Sequence, residues 1–195
     1  SSLTATDIER IFATARALKA GRETHTQVLK HKRLAMIFEK DSLRTRFTFD
    51  IGMNDLGGTV SFMDHRDARL GSRESVKDMA KNLERWVHGI VARTYKHRAV
   101  EELAANCGLP VINGLTDTHH PCQLLADLLT LKENKVNLAK GVVSYIGDGN
   151  NMTHSWIEAA GILGFNFRAA CPKGYEVAQE FQDYAKRFKN ILLTN

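Results

Sequence analysis

The sequence predicts an α/β protein: a domain built on a parallel sheet with helices on both faces, followed by part of a second α/β domain. Three observations predict it. Short apolar runs of strand length alternate with longer stretches in which apolar residues recur at helical spacing. Glycine, proline or asparagine punctuates nearly every change between the two. The segments richest in chemistry follow the apolar runs, where an open parallel sheet collects ligands at the carboxyl ends of its strands.

The elements follow in order. Thr6 to Ala20 reads as a helix capped by Thr6 and stopped at Gly21. Leu34 to Phe38 is a strand, and Arg44 to Leu56 a helix ended by Gly57-Gly58. Thr59 to Met63 is a strand. Ser75 to Val87 is amphipathic, with Val76, Met79, Ala80, Leu83 and Val87 on one face. Gly89 to Ala92 is a strand, Arg98 to Asn106 a helix, Pro110 to Ile112 a strand and Pro121 to Glu133 a helix, with a loop at Asn113 to Thr118. The polar stretch from Lys135 to Gly141 marks a boundary, giving domains at 1–137 and 138–195. Beyond it Val142 to Ile146 is a strand, Gly147 to Asn151 a turn and Thr153 to Leu163 a helix. Phe165 to Ala170 is a strand, Tyr175 to Phe188 a helix and Ile191 to Leu193 a strand. Three strands are few for a stable doubly wound domain.

Composition excludes several classes. The chain has 195 residues and a net charge of +5, which favours acidic partners weakly. No lysine/arginine block, zinc-finger spacing or aromatic RNA-binding signature is present, so no nucleic-acid partner is expected. The 3 cysteines, Cys107, Cys122 and Cys171, are odd in number and far apart, which suits a reducing compartment. No apolar run is long enough to span a bilayer and no signal peptide is visible, so a cytoplasmic location without membrane contact is expected. The histidines show no H-E-x-x-H and no other metal-ligand spacing, and no metal is expected.

Ser42-Leu43-Arg44-Thr45-Arg46 is the most informative stretch. It lies where a strand turns into a helix, so backbone N–H groups and the helix dipole face whatever sits in front. Two arginines and two hydroxyls there suit a phosphate-like anion. The same residues also make a capped helix with solvated arginines, since Asp41 or Ser42 caps well.

Three further features follow strands: Arg93-Thr94, His119-His120-Pro121-Cys122-Gln123, and Gly147-Asp148-Gly149-Asn150-Asn151. On one parallel sheet all four would share a rim. Pro121 fits a first helical turn and holds His120 extended, so its ring projects from the loop; a structural, helix-initiating histidine fits the sequence as well. Gln123 shares that first-turn face. Cys122 beside a histidine invites a thiol-nucleophile reading, but chain adjacency establishes no Cys–His pair and free cysteine is usually a buried small apolar residue. Gly147-x-Gly149 resembles the start of a dinucleotide turn, yet Met152 stands where its third glycine belongs. Asn150 and Asn151 offer amide groups to an amino-acid-like ligand, or turn and cap chemistry.

In this order the motifs resemble the carbamoyltransferase family. Phe38-Glu39-Lys40-x-Ser42-x-Arg44-Thr45-Arg46 is similar to its carbamoyl-phosphate loop, while Arg93-Thr94-Tyr95 and His120-Pro121-Cys122-Gln123-x-Leu125-Ala126-Asp127 resemble its carbonyl-binding segments. Gly147-Asp148-Gly149-Asn150-Asn151-Met152-x-His154-Ser155 and Pro172-Lys173-Gly174-Tyr175 resemble the ornithine branch rather than the aspartate branch. The resemblance implies a carbamoyl-phosphate domain followed by part of a Rossmann-like acceptor domain. It implies transfer of the carbamoyl group from carbamoyl phosphate to the δ-amine of ornithine, in arginine biosynthesis, with no metal or organic cofactor. Ser42, Leu43 (through its backbone), Arg44 and Thr45 would hold the phosphate. Arg93 and His120, with Thr45, would polarise the carbamoyl oxygen, Gln123 would bind the carbamoyl amide and Asn151 the ornithine backbone groups. Arg44, Arg93 and His120 are the residues expected to carry catalysis. The resemblance also implies a homotrimer in which Arg69, within the loop Arg66 to Glu74, reaches a neighbouring subunit's phosphate.

Three departures stand out. Leu43 replaces a usual threonine, and Arg69 replaces a usual glutamine or histidine. The chain ends before the family's Asp-containing and Ser-Met-Gly acceptor segment, its His-Cys-Leu-Pro segment and its final helix. Two alternatives therefore stay open: a non-catalytic carbamoyl-phosphate-binding module, and a carbamoyltransferase for another amine such as an acylated ornithine, putrescine or aspartate.

Overall fold

The computed structural model describes residues 3–21, 24–64 and 70–194. Two compact units form, one from Ala15–Asp117 and one from Ser1–Thr14 with Thr118–Asn195. The first helix, α1 (Ala5–Ala20), starts one residue before the expected cap. Thr4, not Thr6, caps it: Asp7 N–H donates to Thr4 Oγ1 at 3.2 Å while Thr4 N–H donates to the Asp7 carboxylate at 3.0 Å. The reciprocal pair satisfies two amides that the helix cannot satisfy itself.

In the unit Ala15–Asp117, strands β1 (Arg33–Phe38), β2 (Thr59–Met63), β3 (Gly89–Arg93) and β4 (Val111–Leu115) form a parallel sheet in the order β2-β1-β3-β4. Helices α2 (Leu43–Asp55), α3 (Val76–Trp86) and α4 (His97–Asn106) make the crossovers. Alternation along β1 decides which helix covers which face. Leu34, Met36 and Phe38 pack with Phe49 and Met53 of α2, whereas Ala35 and Ile37 pack with Leu83 of α3 and with Cys107 just after α4. The expectation of helices on both faces therefore holds. Val76, Met79, Ala80 and Val87 of the expected amphipathic face are buried.

The expected loop at Asn113 begins too early. β4 runs on to Leu115, with a register shift that pairs Ala92 with Asn113 and Arg93 with Leu115, so Gly114 is the extra residue of a bulge. A Cβ at Gly114 would lie 3.1 Å from Val91 Cγ1, so a side chain there would need the valine to give by a few tenths of an ångström.

In the other unit, β5 (Val142–Ile146), β6 (Asn166–Ala170) and β7 (Ile191–Thr194) form a second parallel sheet in the order β5-β6-β7. Phe167 and Ala169 of β6 face a core completed by α5 (Pro121–Glu133), α6 (Asn151–Leu163), α7 (Gln179–Ala185) and the start of α1 through Leu128, Ile157, Phe181 and Phe12. The opposite face of this sheet exposes Val142, Leu192 and above all Ile146, which is 87% exposed. Helix α7 is shorter than the expected Tyr175–Phe188. Its expected first turn is instead drawn into the loop after β5, where Gly149 N–H donates to Tyr175 C=O at 2.7 Å.

Two sheets rather than one carry the four chemistry-bearing segments. Ser42–Arg46 and Arg93-Thr94 follow strands of the first sheet, and Gly147–Asn151 follows the first strand of the second. The histidine pair belongs to the unit of the second sheet.

Candidate active site

The anion turn is built by a strand that stops and a serine that starts a helix. After β1 the backbone of Ser42 is extended (φ −159°), and its Oγ accepts the Thr45 N–H at 3.2 Å, which makes Ser42 rather than Asp41 the cap of α2. Leu43 is the first helical residue and is 74% exposed. Arg44 and Arg46 are exposed, and the Arg46 guanidinium lies 3.8 Å over the Phe62 ring. A cavity of about 250 Å³ opens here between Phe38, Lys40, Ser42, Leu43, Arg46 and Phe62 among its lining residues.

Arg93 comes to this turn because β1 and β3 are adjacent and parallel, with Phe38 paired to Arg93. Its Nη1 donates to Thr45 Oγ1 at 3.4 Å. The Nε of Arg93 is buried and has no hydrogen-bond partner among the described residues. Burial pulls the pKa of this guanidinium down, yet an arginine stays cationic throughout the physiological range. A half-buried cation beside a helix N-terminus makes this end of the sheet electrostatically favourable to an anion. Ser42, Thr45 and Arg93 are thus brought together, with Arg44 on the same first turn. Arg69 lies outside the described residues.

Two residues at this turn carry roles that motif reading did not assign. Glu39 accepts the Leu70 N–H through Oε1 at 2.9 Å and the Tyr95 N–H through Oε2 at 3.1 Å. One carboxylate thereby fastens the end of β1 to the residues following Arg93 and to the chain after residue 69. Lys40 pairs with Asp117 and sits 4.6 Å from the Tyr95 ring centroid. The available signal was a charged pair directly behind an apolar strand, where chains usually place turn residues.

The second group of residues surrounds the starts of α5 and α6. His120 caps α5 with φ −136° and no side-chain cap bond, and Pro121 occupies the first turn, as its missing N–H permits. Gln123 is exposed and its Nε2 donates to Asp127 Oδ1 at 2.9 Å, one turn along α5. That bond directs the amide's acceptor oxygen elsewhere, and an acceptor is what a carbamoyl NH₂ requires. Burial pushes the Cys122 thiol up to about 11, so it is protonated at neutral pH and is no nucleophile.

Asn150, rather than Asn151, does the capping of α6: its side chain accepts from Met152 N–H at 2.9 Å and Thr153 N–H at 3.4 Å. Asn151 is the first residue of the helix. Gly149 is required by close approach, since a Cβ there would lie 2.3 Å from the Val177 nitrogen. Its role is to admit residues 175–177, which accounts for a glycine pair lacking the dinucleotide pattern. Among the described residues no group of three or more His, Cys, Asp or Glu is placed to hold a metal ion, and no helix is long and apolar enough to cross a membrane.

Comparison with known proteins identifies the family. The family described as aspartate/ornithine carbamoyltransferase, carbamoyl-P binding domain, matches residues 1–133, and its Asp/Orn binding domain matches residues 140–192. The chain belongs to the aspartate/ornithine carbamoyltransferase family. It is 48% identical over 200 residues to an ornithine carbamoyltransferase of Campylobacter fetus, covering 99% of this chain and 65% of that protein. It is 49% identical over 183 residues to that of Bacillus subtilis, covering 93% and 56%. Among solved structures, ornithine carbamoyltransferase from Pyrococcus furiosus superposes with a TM-score of 0.91 at 39% identity, covering 98% of this chain and 64% of that one. The Thermus thermophilus enzyme gives 0.89 at 43% identity, covering 99% and 66%. The chain thus spans between half and two thirds of the length of the curated relatives it matches.

Proposed function

We propose that the protein transfers the carbamoyl group of carbamoyl phosphate to the δ-amine of L-ornithine, giving citrulline and phosphate. The Thr45–Arg93 pair in front of the Ser42-capped helix carries the reading: it supplies a fixed cation, a hydroxyl and first-turn amides at one strand-end site. In this reading Ser42, Arg44, Thr45 and the first amides of α2, including that of Leu43, hold the phosphate. Arg93 and His120 stabilise the negative oxygen that forms when the amine attacks the carbamoyl carbon. Gln123 orients the carbamoyl amide and Asn151 the ornithine backbone groups, so that the two substrates are aligned before reaction. The C–N bond forms, the C–O bond to phosphate breaks, and the leaving phosphate takes the amine's proton. No side-chain base is needed.

The reading extends to the chain's organisation. Residues 1–137 are assigned to the carbamoyl-phosphate domain and 138–195 to the ornithine domain on the strength of the two family matches, although α5 and the start of α1 pack in the unit of the second sheet. The assembly is a homotrimer in which Arg69 serves a neighbour's phosphate, and the enzyme works in the cytoplasm in arginine biosynthesis. The test is citrulline formation from carbamoyl phosphate and ornithine by the purified protein, with putrescine and aspartate as competing acceptors. Faster transfer to either competitor overturns the acceptor assignment. The partial span relative to the relatives favours one second reading, a module that binds carbamoyl phosphate without turnover. Calorimetric binding of carbamoyl phosphate with no citrulline would establish it.

A further inference from the structure

Ser155 is 2% exposed and lies one turn into α6. Its hydroxyl is used in both directions: Oγ donates to the Asn151 carbonyl at 2.8 Å and accepts the His120 N–H at 2.9 Å. A hydroxyl has a single proton, so the direction of each bond is fixed once the amide is the donor of one of them. One side chain thus joins the backbone of the acceptor candidate to the backbone of the carbonyl-polarising candidate.

Its neighbours on α6 hold the same segment. His154 Nε2 accepts the Ala178 N–H at 3.4 Å, which leaves Nδ1 to carry the proton and donate to Thr118 C=O at 3.0 Å. Its ring lies flat on Phe181, with centroids 4.0 Å apart and planes 5° apart. His119 Nε2 lies 3.2 Å from Glu158 Oε2, and the His119 ring meets Phe181 edge-on at 5.3 Å. The backbone of residues 118 and 120 is therefore held by two side chains of α6, with the His119 ring packed between Glu158 and Phe181. Two backbone ties flanking one residue leave the His120 backbone little freedom to rotate independently of α6.

We infer that Ser155 is a positioning residue for carbamoyl transfer: its hydroxyl ties the His120 amide to the first turns of α6 and so sets the backbone from which the carbonyl-polarising imidazole is presented. The inference rests on the role proposed above for His120. Ser155 touches neither substrate. It acts at the carbamoyl end of the donor, and the phosphate end, held by the Ser42–Arg46 turn, is indifferent to it.

The experiment compares two ligands on the purified protein by calorimetry, carbamoyl phosphate and inorganic phosphate, for the wild type and Ser155→Ala. The expected result is a loss of about tenfold in the preference for carbamoyl phosphate over phosphate, with phosphate affinity unchanged within about twofold. A preference that survives in a folded Ser155→Ala overturns the inference. So does an equal loss of both affinities, which is the mark of a merely structural serine. Should Ser155→Ala not fold, Ser155→Cys keeps the volume while accepting only weakly from an amide, and its preference is read in the same way. A wild type that shows no preference for carbamoyl phosphate overturns the proposed function itself, and this inference with it.

Discussion

Arg93 Nη1, at the end of β3, meets Thr45 Oγ1 in the first turn of α2 at 3.4 Å. The contact joins a strand-end cation to a helix's first turn, and it does so through register alone: Phe38 and Arg93 pair, so the chain leaving β1 passes in front of the arginine. Arg93→Ala is expected to weaken carbamoyl-phosphate binding by about 2 to 5 kcal/mol, the usual cost of removing one partner of a desolvated charged contact. Arg44→Ala is expected to lose a similar amount if its exposed guanidinium closes on the phosphate. Calorimetry with carbamoyl phosphate checks both. Unchanged affinity in Arg44→Ala would mean that this arginine stays in water.

Glu39 predicts a different phenotype. Its carboxylate accepts two backbone amides, from Leu70 and Tyr95. Glu39→Ala strands both donors; the partly buried Leu70 amide costs about 1 to 3 kcal/mol when orphaned, whereas water can replace the carboxylate at the exposed Tyr95 amide. The expected outcome is a lower midpoint in urea together with weaker carbamoyl-phosphate binding, because the residues after Arg93 lose their tether. Glu39→Gln keeps one acceptor oxygen and should recover part of both. A Glu39→Ala variant as stable as the wild type would show that water replaces the carboxylate at no cost.

Much of this was legible in the sequence, and the failures have physical causes. Short apolar runs and helical spacing located the strands and helices of the described residues, because most of them bury at least one face. Pro121 fixed the start of α5 correctly, since its ring decides the backbone by itself. The errors fell where a long-range contact overrode a local pattern. Gly114 is a bulge residue pressed on Val91 of the neighbouring strand, and no local signal distinguishes it from a loop glycine. Tyr175 to Val177 carry helical composition but pack on Gly149, 26 or more residues earlier in the chain. The site behaved likewise. The Ser42 turn was readable because its chemistry is contiguous, whereas the Ser155 bridge to His120 depends on two helices meeting and leaves no trace in spacing.

Cys122 provides a negative prediction. Its thiol is pushed up to about 11 by burial, so almost none is thiolate at neutral pH. Cys122→Ser is expected to bind carbamoyl phosphate within about twofold of the wild type. Alkylation of Cys122 by iodoacetamide at about pH 8 should be much slower than that of a free thiol, whose pKa is about 8.5. Rapid labelling followed by loss of binding would restore the thiol to the candidate site.

His154 sets a pH dependence of folding whose sign follows from its surroundings. Burial among α6, α7 and Phe181 lowers its pKa below the ordinary value, and the proximity of His119 adds to that effect. The bond to Thr118 C=O and the carboxylates of Glu180 and Glu158 oppose it without cancelling it. The folded state therefore prefers the neutral ring, and the unfolded chain binds the proton more readily. Stability from this group is fully present above the unfolded value of about 6.5 and is lost as pH falls from there through the depressed folded pKa. The loss has a structural expression: a doubly protonated ring cannot accept the Ala178 N–H, so the junction between α6 and α7 is the part that yields. Urea unfolding at about pH 7.5 and about pH 5.5 should show a larger decrease for the wild type than for His154→Gln, which cannot titrate. Equal decreases in the two proteins would assign the acid sensitivity to other groups and leave His154 without a part in it.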